Sequence, residues 1–373
     1  MDQKHLFYVA KVSEAAISGN AESATAYLRQ FIEYLQTNGE GKEAERLQRI
    51  IEKRPARMAS LALAKQNAGR IPVDSESALT IADKVFVEAG SVKPVLSEGN
   101  LATIHQFVSY IRESDRLVEN GVGISPTMLL YGPPGTGKTL TAHYLASELG
   151  LPLVTARSDG LISSYLGSTS KNVRRLFDFA MAEPCVLFLD EFDAIAKKRD
   201  DSRELGELKR VVISLLQNID ALDKDHVLIA ATNHDHLLDP AIWRRFTYRL
   251  KLDLPDASVR ELLLREFLGK HYSESWEDAL SRLSEGLSGA QIKIAAEDSI
   301  RAAVMRGASV AEPAGVIVAL LRERGLAPMD RDDLIRHLRT IDERVFTESA
   351  LGRLVGVSQP AIHKILNKEI VNG

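Results

Sequence analysis

Leu28, Phe31, Ile32 and Leu35 recur at i, i+3, i+4 and i+7, and Ala44, Leu47, Ile50 and Ile51 make a second stripe of the same kind. That period sets the apolar side chains on one face of a helix. SGNAES and TNGEG interrupt it with helix-breaking residues. Residues 1–54 are therefore expected to form a small three-helix bundle whose stripes are its own core. Residues 55–90 lose the period and carry Pro55, Gly69 and Pro72, the pattern of a linker.

Over residues 91–253 continuous apolar runs (TMLLYG, LPLVTA, CVLFLDE, HVLIAATN) alternate with amphipathic stretches. Uninterrupted apolar strands separated by helices predict a parallel sheet covered on both faces, an α/β architecture. After Pro255 the helical period returns, giving a helical unit over 254–312 and a helical tail over 313–373. No internal repeat or low-complexity tract is found.

Composition narrows the classes. The chain of 373 residues is 45% hydrophobic and 26% charged, values of an ordinary globular protein. A net charge of −4 excludes coating nucleic acid by bulk charge and leaves room for a local patch. Cys185 is the only cysteine, so a disulfide scaffold is excluded and a reducing compartment is expected. The start, MDQKHLFYVAKVSEA, is too interrupted by charge for a signal sequence. No run approaches the roughly 20 apolar residues of a membrane span. A cytoplasmic protein without membrane partners is expected.

The chemistry begins at GPPGTGKT, residues 132–139, between an apolar run and a helical pattern. This is the phosphate-cradling pattern G-x-x-x-x-G-K-[ST]. Gly132, Pro133, Pro134, Gly135, Thr136, Gly137 and Leu140 shape a loop whose N–H groups face phosphates. Lys138 can neutralise the β- and γ-phosphates, and Thr139 can ligate Mg2+. CVLFLDE carries Asp190 to a strand end, where it can join the Mg2+ shell, and places Glu191 to deprotonate water. That pair favours hydrolysis over binding alone. HVLIAATN ends in Asn233, which can hold the water or sense the γ-phosphate, or simply start a turn.

The order GPPGTGKT, SYLG, LFLDEFD, AATN, LDPAIWRRF over about 95–310 resembles the AAA family of ring-forming ATPases. The resemblance implies a P-loop subdomain, a helical lid, ATP with Mg2+, and a homo-oligomer, usually hexameric, with active sites between subunits. It implies that Arg245, before Phe246, completes the neighbour's site as a finger, with adjacent Arg244 the other candidate. Arg249 stands one place later than the family's second arginine. LSGAQIKIAAEDSI resembles the lid-helix start at which Gly289 and Ala290 lie against the base, although Gln291 replaces the common acid; Ser288 or Gly289 can also serve as a helix cap.

Relatives that translocate protein carry an aromatic–aliphatic–glycine triplet where this chain has Tyr165, Leu166 and Gly167. The resemblance makes these a pore loop in a polar, loop-like setting, with Val173, Leu176 and Phe177 inward on the helix that follows. Residues 346–369 resemble the DNA-reading helix-turn-helix of many bacterial regulators, with Gly352 where helices cross, Gly356 at the turn and Ser358 as a cap. Ser358, Gln359, His363, Lys364 and Asn367 would then face DNA, whereas a protein-docking use of the same motif stays open. His234 and His236 have ligand-like spacing without a further cluster, so no metal beyond Mg2+ is expected. Three functions follow: a chaperone-like ring ATPase pulling protein clients through a pore, with a partner enzyme such as a protease; a DNA-associated ATPase; and an ATP-dependent scaffold.

Overall fold

The computed structural model describes residues 8–9, 11–13, 21–37, 40–52, 71–74, 79–161, 166–196, 205–222, 225–326 and 329–368. Near the N-terminus α1 (Ala21–Thr37) and α2 (Gly41–Glu52) pack around Phe31, Ile32, Leu35 and Ala44, with Tyr8 stacked on Phe31 at 5.4 Å.

The central unit runs β1 (Ala82–Val85), α3 (Glu98–Arg112), α4 (Ser114–Glu119), β2 (Thr127–Tyr131), α5 (Lys138–Leu149), β3 (Leu153–Ala156), α6 (Ser158–Leu161), α7 (Leu166–Met181) and β4 (Val186–Leu189). It continues with α8 (Asp193–Ala196), α9 (Leu205–Asp220), β5 (Val227–Thr232), α10 (Pro240–Trp243) and β6 (Tyr248–Lys251). The six strands form one sheet in the order β1-β3-β4-β5-β2-β6. The apolar runs are continuous because both faces are covered. Met128 and Leu130 point to a layer made by α3 and α5. Leu129 points to the opposite layer, made by α7 and α9. On α3 the buried residues Ile104, Phe107, Val108 and Ile111 keep the helical period that the sheet demands.

Two expectations change here. The sheet is parallel except at its edge, where β1 runs antiparallel to β3, and β1 lies inside the stretch expected as a linker. Its four residues ADKV alternate in burial at a sheet edge, too short and too polar to stand out as a strand. Leu166 and Gly167, expected in a loop, belong to the first turn of α7. Tyr165 lies outside the described residues.

Beyond the sheet come α11 (Ala257–Leu268), α12 (Glu277–Leu283), α13 (Gly289–Met305), α14 (Pro313–Glu323), α15 (Arg331–Ile341), α16 (Glu348–Val355) and α17 (Gln359–Asn367). The division expected at 312/313 is not a packing boundary. Val316 and Leu320 of α14 share one core with Leu280 and Ile292, and Phe346, Leu351 and Ile362 extend it. Pro313 occupies the first turn of α14, where a missing N–H costs nothing.

Candidate active site

Strand order assembles the site. Leu189 is level with Ala230, and Tyr131 with Thr232, so β4, β5 and β2 end side by side. Gly132, Asp190 and Asn233 therefore leave the sheet at one edge, the carboxyl edge where ligands of open α/β sheets bind.

The loop between β2 and α5 needs its glycines. Gly132, Gly135 and Gly137 have φ of 140°, 75° and 95°, a region that L-residues rarely adopt. A Cβ at Gly132 would overlap the Leu252 carbonyl. At Gly135 it would stand 2.7 Å from Ser288 Oγ and 2.9 Å from Ala290 Cβ. Helix α5 starts at Lys138 with no side-chain cap, which leaves its first N–H groups free for an anion. Lys138 is buried and its Nζ donates to the carbonyls of Gly132 (2.8 Å) and Pro133 (2.7 Å). Burial pulls its ammonium below the usual lysine range, opposed by the charges of Asp190 and Asp193.

Thr139 Oγ1 donates to Asp190 Oδ2 at 2.8 Å, bringing together two oxygen donors of the kind Mg2+ takes. The other oxygen of Asp190 accepts from the Glu191 backbone N–H at 2.9 Å. Glu191 is the one non-glycine residue with positive φ among the described residues, at 49°. Its strained backbone leaves the carboxylate exposed at the cavity. Asn233 also lines the cavity, and its buried Oδ1 has no hydrogen-bond partner among the described residues. An orphaned acceptor beside two carboxylates fits a site that orders a water against phosphate.

The cavity measures about 730 Å³ and has a polar wall and an apolar one. The apolar wall is Val95 and Leu96 ahead of α3, Leu263 and Phe267 of α11, and Ala290. These residues lack a motif; their common role comes from the lid folding over the sheet. Ala290 N donates to Gly135 O at 3.0 Å, so the lid rests on the phosphate loop. Gln291 completes a capping box with Ser288 and donates from Nε2 to Glu323 O at 3.2 Å, so the amide uses both its oxygen and its nitrogen.

Neither Arg244 nor Arg245 lines the cavity of its own chain. Arg245 is held by Asp220, Nη2 donating to Oδ2 at 3.0 Å with Nε 2.6 Å from Oδ1. Its carbonyl accepts from Thr127 Oγ1 at 2.7 Å, fixing this segment to the start of β2. Arg244 is exposed, with no ion pair among the described residues. Arg249 lies over the Trp243 ring at 5.7 Å, and that ring meets Tyr131 edge-on at 5.2 Å.

In the tail, Ser358, Gln359, His363, Lys364 and Asn367 are all exposed. Ser358 begins α17 without a side-chain capping bond, contrary to expectation; Pro360 in the first turn has no N–H to satisfy. His234 and His236 lie edge-on at 6.0 Å. Among the described residues no group of three or more His, Cys, Asp or Glu is arranged to hold a metal, and no helix is long and apolar enough to cross a membrane.

Residues 128–254 match the family model described as "ATPase family associated with various cellular activities (AAA)". An uncharacterised AAA family ATPase, y4kL of Sinorhizobium fredii, is 39% identical over 289 residues, 77% of this chain and 86% of that protein. The ATP-dependent zinc metalloprotease FtsH 3 of Sphaerobacter thermophilus is 31% identical over 73% of this chain. The proteasome-activating nucleotidase of Methanoculleus marisnigri is 35% identical over 57%. The chain spans 58% and 52% of those last two proteins.

Proposed function

The chain belongs to the AAA family of ATPases, so hydrolysis of ATP with Mg2+ is its chemistry, and we propose that it works as a homo-oligomeric ring, hexameric as in its family, that remodels protein clients. The residue roles belong to the same proposal. Lys138 and the N–H groups of 132–139 bind the phosphates, and Gly289, Ala290 and the apolar wall hold the base. Bound Mg2+ neutralises charge on the phosphate oxygens, and Thr139 and Asp190 hold it. Glu191 takes the proton of the attacking water, which Asn233 orients. Arg245, or its neighbour Arg244, reaches the γ-phosphate of the adjacent subunit.

One observation supports a shared site above others: Glu191, Asn233 and Lys138 line the cavity, while both candidate fingers lie outside it on the same chain. The names of the similar proteins, a protease and a proteasome-activating nucleotidase, support protein clients. A gripping role for Tyr165, Leu166 and Gly167, recruitment of a client or a partner such as a protease by the N-terminal helices, and a cytoplasmic workplace complete the proposal.

The test is ATP turnover with and without an unfolded protein such as casein, together with particle size of Glu191→Gln loaded with Mg2+ and ATP. Stimulation and a ring are expected. A particle that stays single when loaded sinks the proposal, and ATP-dependent partner binding without stimulation replaces threading by a scaffold role.

A further inference from the structure

We propose that the α16–α17 pair is a contact surface for duplex DNA, rigidly mounted on the lid so that duplex and nucleotide binding influence each other. This depends on the ATP chemistry of the chain and not on the ring or its clients.

The pair is built for one fixed crossing. A Cβ at Gly352 would stand 2.7 Å from the Val357 carbonyl, so the helices meet backbone to backbone. Gly356, with φ 71°, turns the chain, and Val357 N donates back to Gly352 O at 3.0 Å. Leu351 and Ile362 are fully buried. What remains outward on the first two turns of α17 is Ser358, Gln359, Pro360, His363 and Lys364, with Asn367 following. A helix projecting polar side chains from its N-terminal half, braced by a second helix, fits a major groove roughly 12 Å wide. A protein-docking core needs large apolar or aromatic anchors, and this exposed row offers only Pro360.

Charge points to the same partner. From Asp330 to Glu348 each acidic residue is already engaged, whereas Glu323 at the end of α14 has no side-chain partner among the described residues. Asp330 caps α15, Asp332 and Asp333 pair with Arg331 and Arg336, Asp342 and Glu343 pair with Arg282 and Arg339, and Glu348 meets His363 at 2.8 Å. Arg344, Arg353, Lys364 and Lys368 are exposed and have no ion-pair partner among the described residues. The uncompensated charge is positive, as phosphate requires. Glu348 is held by His363, whose Nε2 accepts from Asn367 Nδ2 at 2.9 Å. Two side chains of the row are thereby oriented in advance.

The mounting gives the link. Phe346, Leu351, Leu354 and Ile362 lie in one core with Leu283, Ile292 and Leu320 of the lid. Gln291 ties the start of α13 to the end of α14, and Ala290 sits on Gly135 of the phosphate loop. A nucleotide that repositions the lid moves the DNA-facing row with it. By reciprocity, duplex must then change nucleotide affinity by the factor by which nucleotide changes duplex affinity.

The experiment uses the full chain, a fluorescent random-sequence DNA duplex about three helical turns long, and anisotropy over a salt series with ADP or with ATP and Mg2+. Binding should weaken as salt rises, and Lys364→Ala should flatten the salt slope by about 1. Arg353→Glu with Lys364→Glu should lower duplex affinity at least about tenfold while basal ATP turnover persists, which also shows that the variant folds. Duplex affinity should differ between the two nucleotides. Absence of binding at about 50 mM salt overturns the proposal, as does unchanged affinity in the charge-reversed variant. A bound protein lost from that variant, with duplex binding absent throughout, assigns the surface to protein instead. Equal duplex affinity with both nucleotides removes the coupling.

Discussion

Glu191 combines the role proposed for the base with a backbone that an L-residue adopts at a cost. At φ 49° the left-handed region costs about 1–2 kcal/mol, which glycine escapes. The two demands can be separated. Glu191→Gln keeps the strain and loses the base; turnover should fall about 10²–10⁴-fold with ATP still bound, read by steady-state hydrolysis beside nucleotide titration. Glu191→Gly should be as inactive yet more stable by up to about 1 kcal/mol, read as a raised unfolding midpoint. A Gly variant less stable than the parent would show that the conformation is not strained. At the other end of β4, Cys185 is buried, and desolvation pushes its thiol up to about 12. The native chain should resist iodoacetamide at pH 8 and react once unfolded in urea. From pH 9 to about 12 the unfolded chain releases this proton first, so stability should fall as pH rises through that window.

At the scale of elements, the contact between lid and phosphate loop carries the coupling. Gly135 has φ 75°, and an added methyl would press on Ser288 and Ala290. Gly135→Ala should therefore weaken ADP binding about tenfold or more by lifting the start of α13, measured by calorimetric titration. Unchanged affinity would mean that the lid contact is incidental. The phosphate loop and Asp190 were legible in the sequence because their signals are local: glycines forced by φ, and a carboxylate closing an apolar run. The order of β4, β5 and β2 then sets them beside Asn233 without further instruction. Val95, Leu96, Leu263 and Phe267 were not legible, since ordinary apolar residues become one wall only when α11 folds back over the segment before α3. β1 escaped because a short edge strand has no run to display. The boundary at 312/313 was not kept because α14, with Pro313 in its first turn, buries Val316 and Leu320 in the lid core.

At the scale of the whole molecule, the proposed site needs two copies, and mixing variants tests that directly. Arg245→Ala subunits keep Glu191 but cannot serve a neighbour. Glu191→Gln subunits keep Arg245 but cannot use it. Each alone should be nearly inactive if the finger acts between subunits. Mixed in equal amounts before assembly, an interface works when Glu191 on one side meets Arg245 on the other. With random head-to-tail order that happens at about a quarter of interfaces, so turnover should recover toward that fraction of the parent. No recovery would leave Arg245 structural, in keeping with its pairing to Asp220 and the anchorage of its carbonyl by Thr127. Substituting Arg244 in the same experiment decides between the two arginines: the exposed one must swing in from solvent, whereas Arg245 must first leave Asp220. Activity lost in Arg245→Ala alone, recovered on mixing with Glu191→Gln, and kept in Arg244→Ala alone would identify Arg245 as the finger and its release from Asp220 as part of assembly.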